Sequence, residues 1–326
     1  MPRILLVKTS SLGDVVHNLP VVADIRRHFP DAAIDWVVEE PFSPLPRLHP
    51  GVGRVIPVAM RRWRKALLAA ETRAEFAQFR RAVGQGQYDA VIDTQGLIKS
   101  ALLTRAADLA PRGQRHGYDA ASAREPLATR FYGRRHVVPR TLHAVTRNRL
   151  LAGAALGYDI DTETLDYGVR SPAQAVVTAR YAVLLHATAG AHKSWPEAQW
   201  IALGKELAAR GMTSVLPWGH REEHERSLRM AAALPGAVVP DHAPLDEMAA
   251  LLGGSTAVVG VDTGLTHLAV ALGRPVVGIY TGTDPELTGA FGSSRAVNLG
   301  KTGEVPSVTQ VLEALDRVMN KTTAKS

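Results

Sequence analysis

The sequence predicts an α/β protein built as two doubly wound domains that face one another across a cleft. Three observations carry this expectation. Short runs rich in β-branched residues alternate with helical patterns through both halves of the chain. At 326 residues the chain is long for one hydrophobic core, since single cores stop growing at roughly 250–300 residues. Each half also places a glycine-bearing turn directly after an apolar run: Lys8-Thr9-Ser10-Ser11-Leu12-Gly13-Asp14 early, and Val261-Asp262-Thr263-Gly264-Leu265-Thr266-His267 late. Such corners, where strand ends lead into helix N-termini, are where open α/β sheets collect ligands.

In the first half, runs 4–7, 34–38, 54–58 and 90–93 read as strands, separated by helical patterns such as 15–29 and 72–83. That alternation implies a mostly parallel sheet. The second half repeats it, with strands at 182–186, 213–217, 237–239, 257–261 and 275–280 and helices near 197–210, 221–234, 245–252 and 265–272. Gly168, Ser171 and Pro172 interrupt both periodicities, which divides the chain into domains 1–168 and 169–326. A last helix at 305–319 starts with a turn containing Pro306 and could return to pack on the first domain, and the polar tail 320–326 is expected to fray.

A hydrophobic fraction of 46% with 21% charged residues belongs to a globular chain rather than a disordered one. With no cysteine, disulfides and thiolate metal sites are excluded. The apolar run near Met1 is too short for a signal peptide and no stretch reaches the roughly 20 apolar residues of a membrane span, so a cytoplasmic protein is expected. The net charge of +7 lies wholly in the first half: residues 1–168 carry 24 Lys/Arg against 17 Asp/Glu, and residues 169–326 carry 14 against 14. Residues 54–149 alone hold 19 basic and 7 acidic side chains, which predicts a strongly positive surface and a polyanionic or anionic-surface partner. Nucleic acid, an acidic lipid headgroup and a phosphorylated glycolipid all satisfy that charge.

Asp14 opens a helix after a Ser-Ser-Leu-Gly loop. It reads either as a plain N-cap or as a general base, with Gly13 admitting substrate, Ser10 and Ser11 offering hydroxyls, and the helix dipole favouring the carboxylate. The Asp262-Thr263-Gly264 turn reads as a cap or as a phosphate cradle built from the N–H groups of Gly264 and Leu265, with His267 one turn further on. In the loop 186–196, Lys193 could neutralise a diphosphate and Thr188 could donate to it. The pair Glu222-Glu223 suits a ribose diol as well as an ordinary helix start. Arg61-Arg62-Trp63-Arg64-Lys65 is a dense basic run which, with Lys99, Arg124, Arg134 and Arg135, could ring a first-domain cleft or lie solvated on the surface. A Walker lysine motif, a Gly-x-Gly-x-x-Gly turn, a His-Glu-x-x-His pair and an EF-hand loop are all missing, and no required metal is expected.

Together these residues resemble the lipopolysaccharide heptosyltransferase I family. The resemblance runs from end to end of the chain, through the stretch from Lys8 to His17, Trp36-Val37-Val38-Glu39-Glu40, the basic run at 61–65, Asp93-Thr94-Gln95-Gly96-Leu97-Ile98-Lys99-Ser100, Ala123-Arg124-Glu125-Pro126 and the stretch from Asp262 to His267. The last of these is shared by heptosyltransferases generally, whereas Arg-Arg-Trp-Arg-Lys and Ala-Arg-Glu-Pro favour type I. The resemblance implies a GT-B glycosyltransferase of two Rossmann-like domains, the acceptor in the first and the nucleotide sugar in the second. It implies inverting transfer of L-glycero-D-manno-heptose from ADP-heptose to the Kdo of Kdo2-lipid A, with no cofactor, at the cytoplasmic face of the inner membrane and without nucleic acid.

By position, Asp14 would be the base, with Ser10, Ser11, Gly13 and Gln95 at the acceptor and Arg61, Arg62, Arg64, Lys65, Lys99 and Arg124 on its anionic groups. Lys193, Thr188 and the N–H groups of Thr263, Gly264 and Leu265 would hold the departing ADP phosphates. Glu223 would hold the ribose, and Asp262 and His267 would lie near the heptose. The sequence departs from the family pattern at 189–191 and 240–244. The alternatives are a sibling transferase with a later core acceptor, a non-enzymatic basic binding protein for nucleic acid or anionic membrane, and a hydrolysing sugar-nucleotide epimerase.

Overall fold

A computed structural model describes residues 1–170, 180–188 and 190–321, and the chain divides into two compact units, 1–169 and 170–326. The expected interruption at Ser171 and Pro172, Ala189 and the tail beyond Lys321 lie outside the described residues.

In the first unit, β1 (Arg3–Val7), β2 (Ala33–Glu39), β3 (Arg54–Val58), β4 (Tyr88–Asp93), β5 (Leu109–Tyr118) and β6 (Arg134–His136) form one parallel sheet in the order β3-β2-β1-β4-β5-β6. That is the Rossmann order. Its helices are α1 (Leu12–Val16), α2 (Leu19–His28), α3 (Pro44–Arg47), α4 (Met60–Trp63), α5 (Ala70–Gly84), α6 (Ile98–Thr104) and α7 (Ala144–Leu156). Leu5 and Val7 join a core with Phe79 and Val83 of α5, while their neighbours Ile4 and Leu6 are equally buried on the opposite face of the strand. Burial on both faces explains why β1 reads as a continuous apolar run. The helix expected over 15–29 is split, because Asn18 caps a new helix whose second residue is Pro20.

The second unit has β7 (Tyr181–Leu185), β8 (Thr213–Val215), β9 (Ala257–Val261), β10 (Val276–Ile279) and β11 (Ala296–Leu299), all parallel, in the order β11-β10-β9-β7-β8. Its helices are α8 (Glu197–Ala209), α9 (Arg221–Ala232), α10 (Leu245–Gly254), α11 (Gly264–Ala271), α12 (Pro285–Thr288) and α13 (Val308–Asn320). The strand expected at 237–239 is reduced to a single parallel bridge from Val238 to Val215. Gly236 turns the chain with φ +64 and Pro240 has no N–H to donate, so only one residue pairs between them.

The last helix belongs to the core of the second unit. A capping box starts it: Ser307 N donates to Gln310 Oε1 at 2.9 Å and Gln310 N to Ser307 Oγ at 3.3 Å. Its apolar face, Val311, Ala314, Leu315 and Val318, is buried with Trp195, Trp200, Val277 and Ile279 in the core of its own unit. Fully burying Val311, Leu315 and Val318 contributes about 1.5–3 kcal/mol each.

In each sheet the strand order reverses between two central neighbours, β1 and β4 in the first unit and β7 and β9 in the second. The crevice beyond such neighbours is the binding position of a doubly wound sheet.

Candidate active site

In the first unit the loops following β1 and β4 are locked together. Gln95 Oε1 accepts from Thr9 N at 3.0 Å and Ser10 N at 3.2 Å, and Lys99 Nζ donates to Ser10 Oγ at 3.3 Å. Asp14 Oδ2 accepts from Ser11 N at 2.8 Å and Ser11 Oγ at 3.0 Å. The helix cap is therefore Ser11, and Asp14 stands at the third helical position instead of being the cap itself. Gly13 is helical within α1. Gly96 holds φ +66, and a Cβ there would come within 3.1 Å of Tyr118 and 3.4 Å of the Arg124 backbone nitrogen, so only glycine lets the 123–125 loop close on this corner. Glu125 completes the closure, its N–H donating to the Gly96 carbonyl at 3.0 Å and its Oε2 accepting from Ile98 N at 2.7 Å.

Beneath this corner lie residues that sequence reasoning did not assign. Asp93 Oδ1 accepts from Gln95 N at 2.8 Å and Gly96 N at 3.2 Å, and Oδ2 accepts from Ser100 Oγ at 2.8 Å and Tyr132 Oη at 2.7 Å. Burial pushes its pKa up even against these bonds. Lys8 is buried, with Nζ donating to the Thr94 carbonyl at 2.8 Å and to Asn148 Oδ1 at 3.4 Å. Burial lowers its pKa, Asp14 and Asp93 pull it back up, and Arg147 and Arg124 push it down. A lysine directly after the apolar run 4–7 was the available signal for Lys8. Asn148, 140 residues away on α7, had none.

The basic run separates into different environments. Arg61 is joined to the site, its N–H donating to Glu39 Oε1 at 2.9 Å while Glu39 N donates to the Thr9 carbonyl at 3.0 Å. Arg62 is held between Glu40 at 3.1 Å and Glu75 at 2.9 Å, and Arg64 lines a groove beside α5. Lys65 is exposed. Not all of the positive excess is therefore surface charge: Arg149 is buried on Asp24 at 2.7 Å, and Arg115 is spent on the carbonyls of Thr104 and Ala107. Arg134 and Arg135 lie on the edge strand β6, where Arg135 donates to the Thr129 carbonyl at 3.1 Å.

In the second unit, Lys193 Nζ lies 2.7 Å from Asp262 Oδ2, which also accepts from Thr283 Oγ1 at 2.7 Å. Thr188 Oγ1 donates to the Asp262 carbonyl at 3.1 Å, and His267 Nε2 lies 3.8 Å from Asp262 Oδ1. The loops following β7, β9 and β10 thus meet on one carboxylate. Burial raises its pKa, but the bonds from His267, Lys193 and Thr283 outweigh that and hold it well below the usual carboxylate range. Thr263 caps α11, so the N–H groups of Gly264 and Leu265 fall in the first turn, where an α-helix has no acceptor of its own. Thr283 is the residue sequence reasoning missed here, although the end of β10 was the place to look.

Glu223 caps its own loop. Its Oε2 accepts from Gly219 N at 2.8 Å and its Oε1 lies 3.0 Å from His220 Nε2, while Glu222 Oε2 lies 2.8 Å from the other nitrogen of the same imidazole. Trp218 stacks on His224 with ring centroids 4.1 Å apart and donates to the Pro240 carbonyl at 2.8 Å, which ties the 240–244 loop to this strand end.

Comparison with known proteins shows the family and the fold. The family described as glycosyltransferase family 9 (heptosyltransferase) matches residues 76–314. Lipopolysaccharide heptosyltransferase 1 of Salmonella typhimurium is 46% identical over 297 residues, covering 90% of this chain and 92% of that protein. The solved Escherichia coli heptosyltransferase WaaC with ADP superposes with a TM-score of 0.89 at 42% identity, covering 97% of this chain and 99% of that one. Its complex with ADP-2-deoxy-2-fluoro heptose superposes with a TM-score of 0.84 at 42% identity, covering 96% and 98%. A non-enzymatic reading of the basic segment is thereby set aside. The chain belongs to glycosyltransferase family 9, the heptosyltransferases.

Proposed function

We propose that this chain transfers L-glycero-D-manno-heptose from ADP-heptose to the Kdo of Kdo2-lipid A, with inversion at the anomeric carbon. The observation that carries this reading is the convergence of Lys193, Thr188 and Thr283 on Asp262 beside the N-terminus of α11, at the strand-order reversal of the second sheet. A cation, hydroxyls and first-turn N–H groups in one place suit a diphosphate leaving group. A relative solved with ADP and with an ADP-heptose analogue supports the donor's identity.

In the reaction, a Kdo hydroxyl oxygen bonds to the anomeric carbon as the bond from that carbon to the ADP phosphate oxygen breaks. The hydroxyl proton passes to Asp14, and the bonding pair leaves with the phosphate. Lys193, Thr188 and the N–H groups of Thr263, Gly264 and Leu265 compensate the charge that develops there, so the chemistry asks for no metal. Glu223 turns from its own loop to the ribose hydroxyls, and Asp262 and His267 orient the heptose and diphosphate. In the first unit Ser10, Ser11, Gly13 and Gln95 position the Kdo, while Arg61, Arg64, Lys65, Lys99 and Arg124 meet acceptor phosphates and carboxylates. Arg62 joins them by sharing its pairs with Glu40 and Glu75. Among the described residues no helix is long and apolar enough to cross a membrane. The enzyme works peripherally, at the cytoplasmic face of the inner membrane where such an acceptor is presented.

The test is the mass of a soluble Kdo-terminated acceptor after incubation with ADP-heptose and a chelator. The expected product is one heptose heavier and forms at a rate within about twofold of that without chelator. Addition only to an acceptor already bearing heptose would assign the chain to the sibling reaction.

A further inference from the structure

A groove of about 920 Å³ in the first unit shares no lining residue with the loops following β1 and β4. Met60 and Trp63 of α4, Leu67, Phe76 and Ala106 give it carbon walls, and Arg64, Arg73, Arg80 and Arg81 surround them, with Asp108 the acid among its lining residues. The face of α5 that forms it follows helical spacing from Thr72 and Arg73 through Phe76 and Ala77 to Arg80, Arg81 and Gly84, while Phe79 and Val83 of the same helix are buried in the core. Trp63 and Phe76 meet edge to face at 5.8 Å, which stiffens the wall. On the turn between α4 and α5, Leu67 is 65% and Leu68 is 89% exposed. Two adjacent leucines and a phenylalanine facing water beside four guanidinium groups have the composition of an interfacial surface rather than of a solvated one.

Charge selects the occupant. The groove lies within the 54–149 segment, whose 19 basic and 7 acidic residues repel a second copy of the same face and attract an anion. An apolar slot rimmed by guanidinium groups matches an amphiphile with an acyl chain and a phosphate. We propose that this groove docks the enzyme on an anionic phospholipid bilayer, with Leu67, Leu68 and Phe76 entering the acyl boundary and Arg73, Arg80 and Arg81 pairing with lipid phosphates. The inference rests on the reading that the acceptor is lipid-borne. It adds the surface that meets the membrane, built from residues outside the catalytic corner.

The experiment is flotation of the full chain with vesicles of phosphatidylethanolamine and phosphatidylglycerol, against vesicles of phosphatidylcholine. The wild type is expected to float with the anionic vesicles only, and less as salt rises. Each arginine near such a surface is worth about fivefold in partition, so R73Q/R80Q/R81Q is expected to lose at least about tenfold. L68D/F76D, at two exposed positions, is expected to lose a similar factor. Both variants are expected to turn over a soluble deacylated acceptor within about twofold of wild type, since Arg64 and the catalytic corner are untouched. Wild type that stays with the protein fraction, variants that float like wild type, or self-association abolished by L68D/F76D without vesicle binding would each overturn the proposal. Absent turnover on the soluble acceptor in wild type would instead count against the proposed reaction and leave the flotation result to stand by itself.

Discussion

Asp14→Asn is expected to lower kcat by about 10²–10⁴-fold while the affinity for ADP-heptose stays within about twofold. The carboxylate has two roles that this substitution separates. Structurally, Asp14 Oδ2 accepts from the N–H and hydroxyl of Ser11 and so holds the start of α1. Asparagine keeps an oxygen in that position and retains most of the cap, worth about 1 kcal/mol. Chemically, an amide oxygen cannot take the proton of an attacking hydroxyl. Turnover by Asp14→Asn near the wild-type rate, read by ADP release, would remove Asp14 from the base role and leave it as the capping-box partner of Ser11. Asp14→Ala loses both functions, so the difference in melting temperature between the two variants reports the structural share.

Lys193→Ala is expected to cost about 10²–10³-fold in kcat, with weakened donor binding, because it removes more than a cation. The ammonium lies 2.7 Å from Asp262 Oδ2 at the mouth of α11, and with Lys193 gone a carboxylate remains beside an incoming diphosphate. The repulsion then adds to the lost attraction. Lys193→Ala/Asp262→Asn is therefore expected to recover about tenfold of the donor affinity lost by Lys193→Ala alone, an interaction within the usual range for contacting residues. Calorimetric titration with ADP-heptose on the four proteins of this cycle gives the coupling. Strictly additive effects would mean that the pair does not act as a unit on the diphosphate.

Much of this arrangement is legible before any coordinates. The runs that became β1, β2, β4, β9 and β10 are continuous because helices bury both faces of each sheet, and the turns following β1 and β9 advertise ligand corners through glycine, hydroxyl and carboxylate. β5 was not legible: Leu109–Tyr118 contains Pro111 and Gly113, and its register against β4 is broken where Gly113 packs directly on the Tyr88 carbonyl. A bulged edge-side strand of polar composition leaves no period to read. The 237–239 run failed in the opposite sense, since three β-branched or small residues between Gly236 and Pro240 had the composition of a strand without room for its ladder.

On the two signature turns chemistry and position coincide in a few consecutive letters, so candidate residues could be named there. The supports could not. Asp93 works through Gln95, which holds Thr9 and Ser10, and Asn148 reaches Lys8 from a helix far along the chain. Such partners are chosen by the sheet order, which brings β1 beside β4, and not by local sequence. The same holds for Arg62, whose charge counts in any tally of the basic run while Glu40 and Glu75 already engage it.

The central claim is that this enzyme couples breakage of the heptose–phosphate bond to an acceptor hydroxyl. ADP release from ADP-heptose, followed with and without a soluble Kdo2-lipid A analogue, tests it most directly. Release that requires the acceptor, with inversion at the transferred anomeric carbon, is the predicted result. Release at the same rate without acceptor would mean that water or rearrangement consumes the donor, and would contradict transfer.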